Sequence, residues 1–178
     1  MWLVKIRFIV GNLILYVVIF VEHGVHLSSI LECLLASVLV LVSISDAKTL
    51  EIPWKLNQII FILGLFLLIL QPNQWKMQLL GALGVSGFLM LLYLLTRGQG
   101  IGGGDIKLMA STGFFIGITN SILAFTMASV LAVIVHPILM LVLKKKKTFP
   151  FGPYLCVGVY LAMLIGDRIC FTIETFML

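Results

Sequence analysis

Asp46 and Asp105 are two of only three aspartates in a chain of 178 residues of which 11% are charged. Two carboxylates near enough to share a proton can hydrolyse a peptide bond. The protonated one polarises the scissile carbonyl, and the ionised one takes a proton from the attacking water. Their mutual repulsion splits the two titrations, which then belong to the pair. An apolar setting at a membrane surface helps the pair keep its one proton. Taken singly, each aspartate has a blander reading. Asp105 precedes "IKLMA" and makes a good helix N-cap, while Asp46 in "SISDAKTLEIP" can be a solvated helix-end residue, with Pro53 as a first-turn proline of the next helix.

The chemistry therefore depends on which elements bring the two together. With 61% hydrophobic residues and a mean hydropathy of +1.19, the composition is that of a membrane protein, with no segment polar enough for a separate soluble domain. A single all-α domain over residues 1–178 is expected, a polytopic integral membrane protein. Apolar runs near 4–21, 27–45, 56–70, 77–95, 107–118, 121–143 and 153–173 predict about seven transmembrane helices, with six to eight compatible with the pattern. Only "TN" at 119–120 separates the fifth run from the sixth. Lys5 and Arg7 ahead of the first run resemble a secretory signal, but no small-residue cleavage site follows, so the run is read as a helix.

Threading seven helices with the N-terminus inside gathers Lys5, Arg7, Lys48, Lys55, Arg97, Lys107 and Lys144 to Lys147 on one side and leaves Lys76 and Arg168 on the other, ten against two. The positive-inside rule makes the first side cytoplasmic. The same rule accounts for the net charge of +5 without nucleic acid as a partner, and leaves "KKKK" at 144–147 topogenic and lipid-facing roles. Asp46, ending the second helix, and Asp105, opening the fifth, then meet on the cytoplasmic face. Asp167 lies toward the other end of the last helix beside Arg168, where an interfacial ion pair is expected.

The glycines before Asp105 gain a use at such a site. Without side chains, Gly102, Gly103 and Gly104 leave the backbone open to an extended peptide and free to take positive φ. Gly113 and Gly117, a small-xxx-small pair, would let another helix approach closely and so draw Asp105 toward the second helix.

These residues carry a resemblance. "GIGGGDIKLMASTGFFIG", residues 100–117, resembles the G-x-G-x-G-D-x-K-L-x-A-x-x-G-x-x-x-G signature of type IV prepilin peptidases, matching at Gly100, Gly102, Gly104, Asp105, Lys107, Leu108, Ala110, Gly113 and Gly117. "DAKTLEIP", residues 46–53, is similar to the other aspartate motif of that family, with five residues between Asp and Ile-Pro. "PFGPYLCVG", residues 150–158, resembles a third stretch on the final cytoplasmic turn. The resemblance implies a membrane aspartyl endopeptidase that removes short basic leaders from prepilin-like proteins at the cytoplasmic face of the cell membrane, commonly after a glycine. Asp46 and Asp105 would be the catalytic pair, and Gly102, Gly103, Gly104, Lys107 and Pro53 would frame the active-site loops. No cofactor or metal is implied. Trp54 stands where the family usually has a polar residue, and Gln99 where many members have Glu. The chain also lacks the paired C-x-x-C motifs that accompany the methyltransferase activity of longer members, so it resembles the short, peptidase-only branch. Its cysteines, Cys33, Cys156 and Cys170, are far apart in apolar stretches and read as packing residues.

Other readings remain beside this one. A small cation transporter would use the same two carboxylates, although no internal repeat is evident. A pilus-assembly membrane protein without turnover would keep the fold. Glu51 is the main rival for one catalytic role. Glu32, the one acidic residue inside the second helix, lies close enough to the outer boundary to snorkel, and Glu22, His23 and His26 form a weak candidate metal cluster on the outer loop. Lys107, two residues after Asp105, is expected on a different helical face. The oligomeric state is left open.

Overall fold

The computed structural model describes residues 2–98, 101–143 and 150–177; Gln99, Gly100 and Lys144 to Lys147 lie outside them, as do the side chains of Lys5, Arg7, Asp167 and Cys170. Every regular element among the described residues is helical: α1 (Trp2–His23), α2 (Leu27–Thr49), α3 (Trp54–Leu70), α4 (Trp75–Leu95), α5 (Gly103–Leu143) and α6 (Gly152–Met177), with a 3₁₀ turn at Pro72–Gln74. Leu27–Thr49, Pro72–Leu95 and Gly103–Leu141 are long and apolar enough to cross a bilayer, and Phe8–His23, Trp54–Leu70 and Gly152–Gly166 are shorter apolar helices. The protein is an all-α polytopic membrane protein. Phe66, Leu83, Leu91, Val133 and Leu141 are all more than half exposed on its outside, an apolar exterior suited to lipid rather than water.

Among the described residues there are seven α-helical segments, because α5 is two helices joined at Gly117, whose φ of 77° and ψ of 173° belong to a backbone region essentially confined to glycine. The contacts show that the chain doubles back there. Along α4, Gly81 abuts Gly113 and Gly117, and Gly84 abuts Ile118. Further down, Phe88 meets Phe125 edge-on at 6.2 Å while Leu89 and Leu92 share a cavity with Asp105. The first arm, 103–116, thus runs antiparallel to α4 and the second, 118–143, parallel to it. The break expected at 119–120 falls instead at Gly117, because reversal needs a backbone freedom that Thr119 and Asn120 lack. At about 1.5 Å per residue the first arm is roughly 21 Å long, short of the approximately 30 Å hydrocarbon core.

The helix that Gly113 and Gly117 admit is α4, through Gly81. The core that unites the bundle is built from Leu35, Leu39 and Val42 of α2, Ile60 of α3, Leu89 of α4, Leu108 and Met109 of α5, and Leu155 and Val159 of α6. The buried hydroxyls of Ser111 and Thr112 are satisfied locally, Ser111 donating to Lys107 O at 2.9 Å and Thr112 to Leu108 O at 2.8 Å, which offsets the cost of burying them in an apolar interior. At the end opposite Asp46, His23 Nδ1 lies 2.6 Å from Glu32 Oε2, and Arg168 pairs with Glu22, joining α6 to α1. Glu32 therefore has a partner inside the bundle and does not depend on snorkelling. Among the described residues no three potential metal ligands stand together.

Candidate active site

Asp46 sits in the last turn of α2. The helix stops at Leu50, which takes the left-handed conformation (φ 57°, ψ 25°) and donates its N–H to Asp46 O at 2.9 Å. For a non-glycine residue this is strained, and it persists only where neighbours over-determine it. They do: Ser45 Oγ and Thr49 Oγ1 donate to Glu51 O at 3.2 and 3.3 Å, and Thr49 Oγ1 also bonds Ser45 O at 2.9 Å. The turn is thereby folded back, and it delivers Ile52 to the backbone of Gly104, where an added Cβ would stand 3.3 Å from the Ile52 side chain.

Asp105 is the third residue of α5, and Gly102 is its N-cap. The Asp105 N–H donates to Gly102 O at 3.1 Å, and the backbone of Gly102 returns a hydrogen bond to the Asp105 carboxylate. Asp105 thus acts as the N3 acid of a capping box does, while Gly102, without a side chain, answers through its main-chain oxygen. Capping therefore does not withdraw the Asp105 side chain from the cavity that it lines. The three glycines differ in what they do. A Cβ on Gly102 would stand 3.1 Å from Asp105 Oδ2 and one on Gly104 would press on Ile52, whereas Gly103 has nothing within 4 Å. Open backbone is thus a property of Gly103. None of the three uses its freedom to take positive φ; among the described residues that conformation falls to Gly24, Leu50, Arg97, Gly98 and Gly117.

Both carboxylates line one cavity of about 330 Å³, with Leu50, Glu51, Ile52, Trp54, Gly102, Gly103, Gly104 and Lys107 completing its wall. They are 6% and 9% exposed, so they face the cavity and little else, and the charge of Asp46 acts on Asp105. Lys107 reaches the same cavity although its spacing from Asp105 suggests another helical face, because the wall wraps around the start of α5. Pro53 caps α3 rather than occupying its first turn. It stands between Ile52 and Trp54 without joining the wall. Asp105 and Gly102 also border a second, apolar cavity of about 220 Å³ formed with Leu89, Leu92, Ile101, Phe125 and Phe151.

One further residue reaches the pair. Gly152, opening α6, donates its N–H to Asp46 Oδ2 at 2.9 Å. Sequence alone gives Gly152 no such role: "PFGPYLCVG" marks the stretch, but a main-chain donor leaves no signature of its partner. Leu89, Leu92 and Phe125 had no signal either, being apolar residues within apolar helices.

The arrangement can hold a water and a carbonyl between two buried carboxyl groups beside an open stretch of backbone. The profile of the type IV leader peptidase family matches residues 33–136, a span that contains both aspartates. A prepilin leader peptidase/N-methyltransferase of Bacillus subtilis is 32% identical over 155 residues, covering 84% of this chain and 61% of that protein. The protein of the same name from Stutzerimonas stutzeri is 32% identical over 126 residues, 70% of this chain and 43% of that one. One from Aeromonas salmonicida is 36% identical over 93 residues, 48% and 32% respectively. The chain thus spans less than two thirds of the length of these relatives. No solved structure matches it.

Proposed function

The chain belongs to the type IV leader peptidase family, and on that premise we propose that it is a membrane aspartyl endopeptidase that cuts the leader peptide from prepilin-like proteins. The observation that carries this reading is the shared cavity of Asp46 and Asp105 beside the exposed backbone of Gly103. In the reaction, one carboxyl group donates its proton to the scissile carbonyl oxygen while the other takes a proton from water, whose oxygen attacks the carbonyl carbon. The tetrahedral intermediate collapses as the peptide C–N bond breaks. The proton taken from water passes to the departing nitrogen, and the carboxylate that gave up its proton takes one back from a hydroxyl of the intermediate, so the pair returns to its singly protonated state. Water is the nucleophile, so the step calls on no cofactor. Incubating the purified protein in detergent with a prepilin-like peptide tests the reading directly. Release of the leader at a single bond is expected, and an intact peptide would overturn it.

The site faces the cytoplasm in this reading. Lys48 near the end of α2, Lys55 and Lys107 near the starts of α3 and α5, and Arg97 just after α4 lie at the dyad's end of the helices, and Lys76 follows the 3₁₀ turn at the other end. Single cysteines at Lys48 and Arg97 should label only from the cytoplasmic side of the cell membrane, and one at Asn73 only from outside. Labelling of positions 48 and 97 from opposite sides would be incompatible with one site.

The names of the relatives join a peptidase to an N-methyltransferase. For these 178 residues we propose the first activity alone. They contain no C-x-x-C pair, and α1 passes to α2 through Gly24, Val25 and His26 only, leaving no room there for a methyl-donor domain. Given a prepilin substrate and a labelled methyl donor, the polypeptide should yield a cleaved product of unchanged mass at its new N-terminus. A product heavier by one methyl group would refute this.

A further inference from the structure

Gly152 belongs to neither aspartate motif, yet its backbone is in direct contact with Asp46. Its N–H donates to Asp46 Oδ2 at 2.9 Å across 106 residues of sequence. A Cβ at this position would stand 2.7 Å from Oδ2, 2.8 Å from Cγ and 3.0 Å from Cβ of Asp46, so no other residue fits without moving the carboxylate. The donor is available because it opens a helix, where the first N–H groups have no partner within the helix. The first turn is firmly built: Tyr154 and Leu155 both donate to Phe151 O at 3.1 Å, Pro153 has no N–H in need of an acceptor, and Leu155 is fully buried. The lock is therefore mounted on a rigid element.

An aspartate at a helix end has two side-chain torsions, and aspartyl hydrolysis needs its carboxylate held within a fraction of an ångström. We propose that Gly152 is a positioning residue of the pair: its N–H fixes Asp46 through Oδ2, leaving Oδ1 to hold the water and to share the proton with Asp105. This rests on the hydrolytic reading of the pair. The competing explanation is that Asp46 merely caps α6 from a neighbouring helix, which would serve stability and not turnover.

One measurement separates these, and a second tests the contact that both require. Replacing the Gly152 residue by glycolic acid, through cell-free synthesis with a chemically acylated tRNA, converts the amide to an ester and removes the N–H while adding no atom that could clash. The expected result is a fall in kcat of about 10- to 100-fold, with KM changed by less than about threefold. A folded ester variant with the kcat of the wild type would overturn the proposal and leave only the capping role. The second measurement needs no substrate. Gly152→Ala should lower the apparent melting temperature in the wild-type background and much less in Asp46→Ala, where the space for its Cβ is open. Equal losses in both backgrounds would show that the two residues are not coupled and would also overturn the proposal. A wild type that cuts no peptide would count against the peptidase reading, while the coupling would still judge the contact.

Discussion

Asp46→Asn and Asp105→Asn should each yield a protein that inserts and folds but cleaves at least about 10³-fold more slowly than the wild type, within the range lost when acid–base groups are removed. Asparagine keeps the shape of aspartate and can still accept the Gly152 N–H, so the apparent melting temperature should change little. It cannot take a proton from water, nor can it exchange one with its partner. The wild-type rate should fall on both sides of an optimum, since a second proton on the pair removes the base and loss of the shared proton removes the acid. Initial rates on a prepilin-like peptide, with melting curves of the same samples, check these expectations. Full activity in either purified variant would remove that residue from the dyad. Loss in Glu51→Gln together with retention in Asp46→Asn would transfer its role to Glu51, which lines the same cavity.

The convergence of the two aspartates was legible because it depends on long-range order that charge and hydropathy encode. Apolar runs count the crossings, lysines mark one end of the bundle, and an even number of segments between Asp46 and Asp105, α3 and α4, brings them to the same end. The resemblance then pointed to the same two residues by a separate route. What escaped was what side-chain type does not encode. Leu50 adopts a conformation usually left to glycine because two hydroxyls hold the turn. "TN" marked the reversal in α5 only to within two or three residues, since Gly117 alone has the required freedom. Gly152 reaches Asp46 through a main-chain atom, and the partner of Gly113 proved to be α4, because sequence spacing tells which residues share a helical face but not which helix that face will meet.

Gly113→Val should unfold the bundle at a lower temperature and silence the site from a distance. A Cβ on Gly113 would lie 2.2 Å from Gly81 O and 2.7 Å from Gly81 C, and a Cβ on Gly81 would lie 2.2 Å from Gly113 O. These are backbone atoms on both sides, so no side chain can swing away and α4 must separate from the first arm of α5. Two magnitudes compete when alanine is introduced. Its helix propensity exceeds that of glycine by about 1 kcal/mol, whereas overpacking costs about 1–3 kcal/mol, and against backbone at 2.2 Å the overpacking wins, so Gly113→Ala should already destabilise. Valine lacks most of that propensity gain and enlarges the clash, which makes it the sharper variant. Asp105 lies two turns before Gly113 on the same arm, and a shift of about 1 Å at a reacting group can lower turnover by roughly 10²-fold. Gly113→Val should therefore lose both melting temperature and activity, unlike the aspartate variants, which lose activity alone. Gly87→Ala supplies the control within α4, because a Cβ there meets nothing within 4 Å and only the propensity gain remains. If Gly113→Val melted and cleaved like the wild type while Gly87→Ala did the same, the close approach of these two helices would not be what holds Asp105 in place.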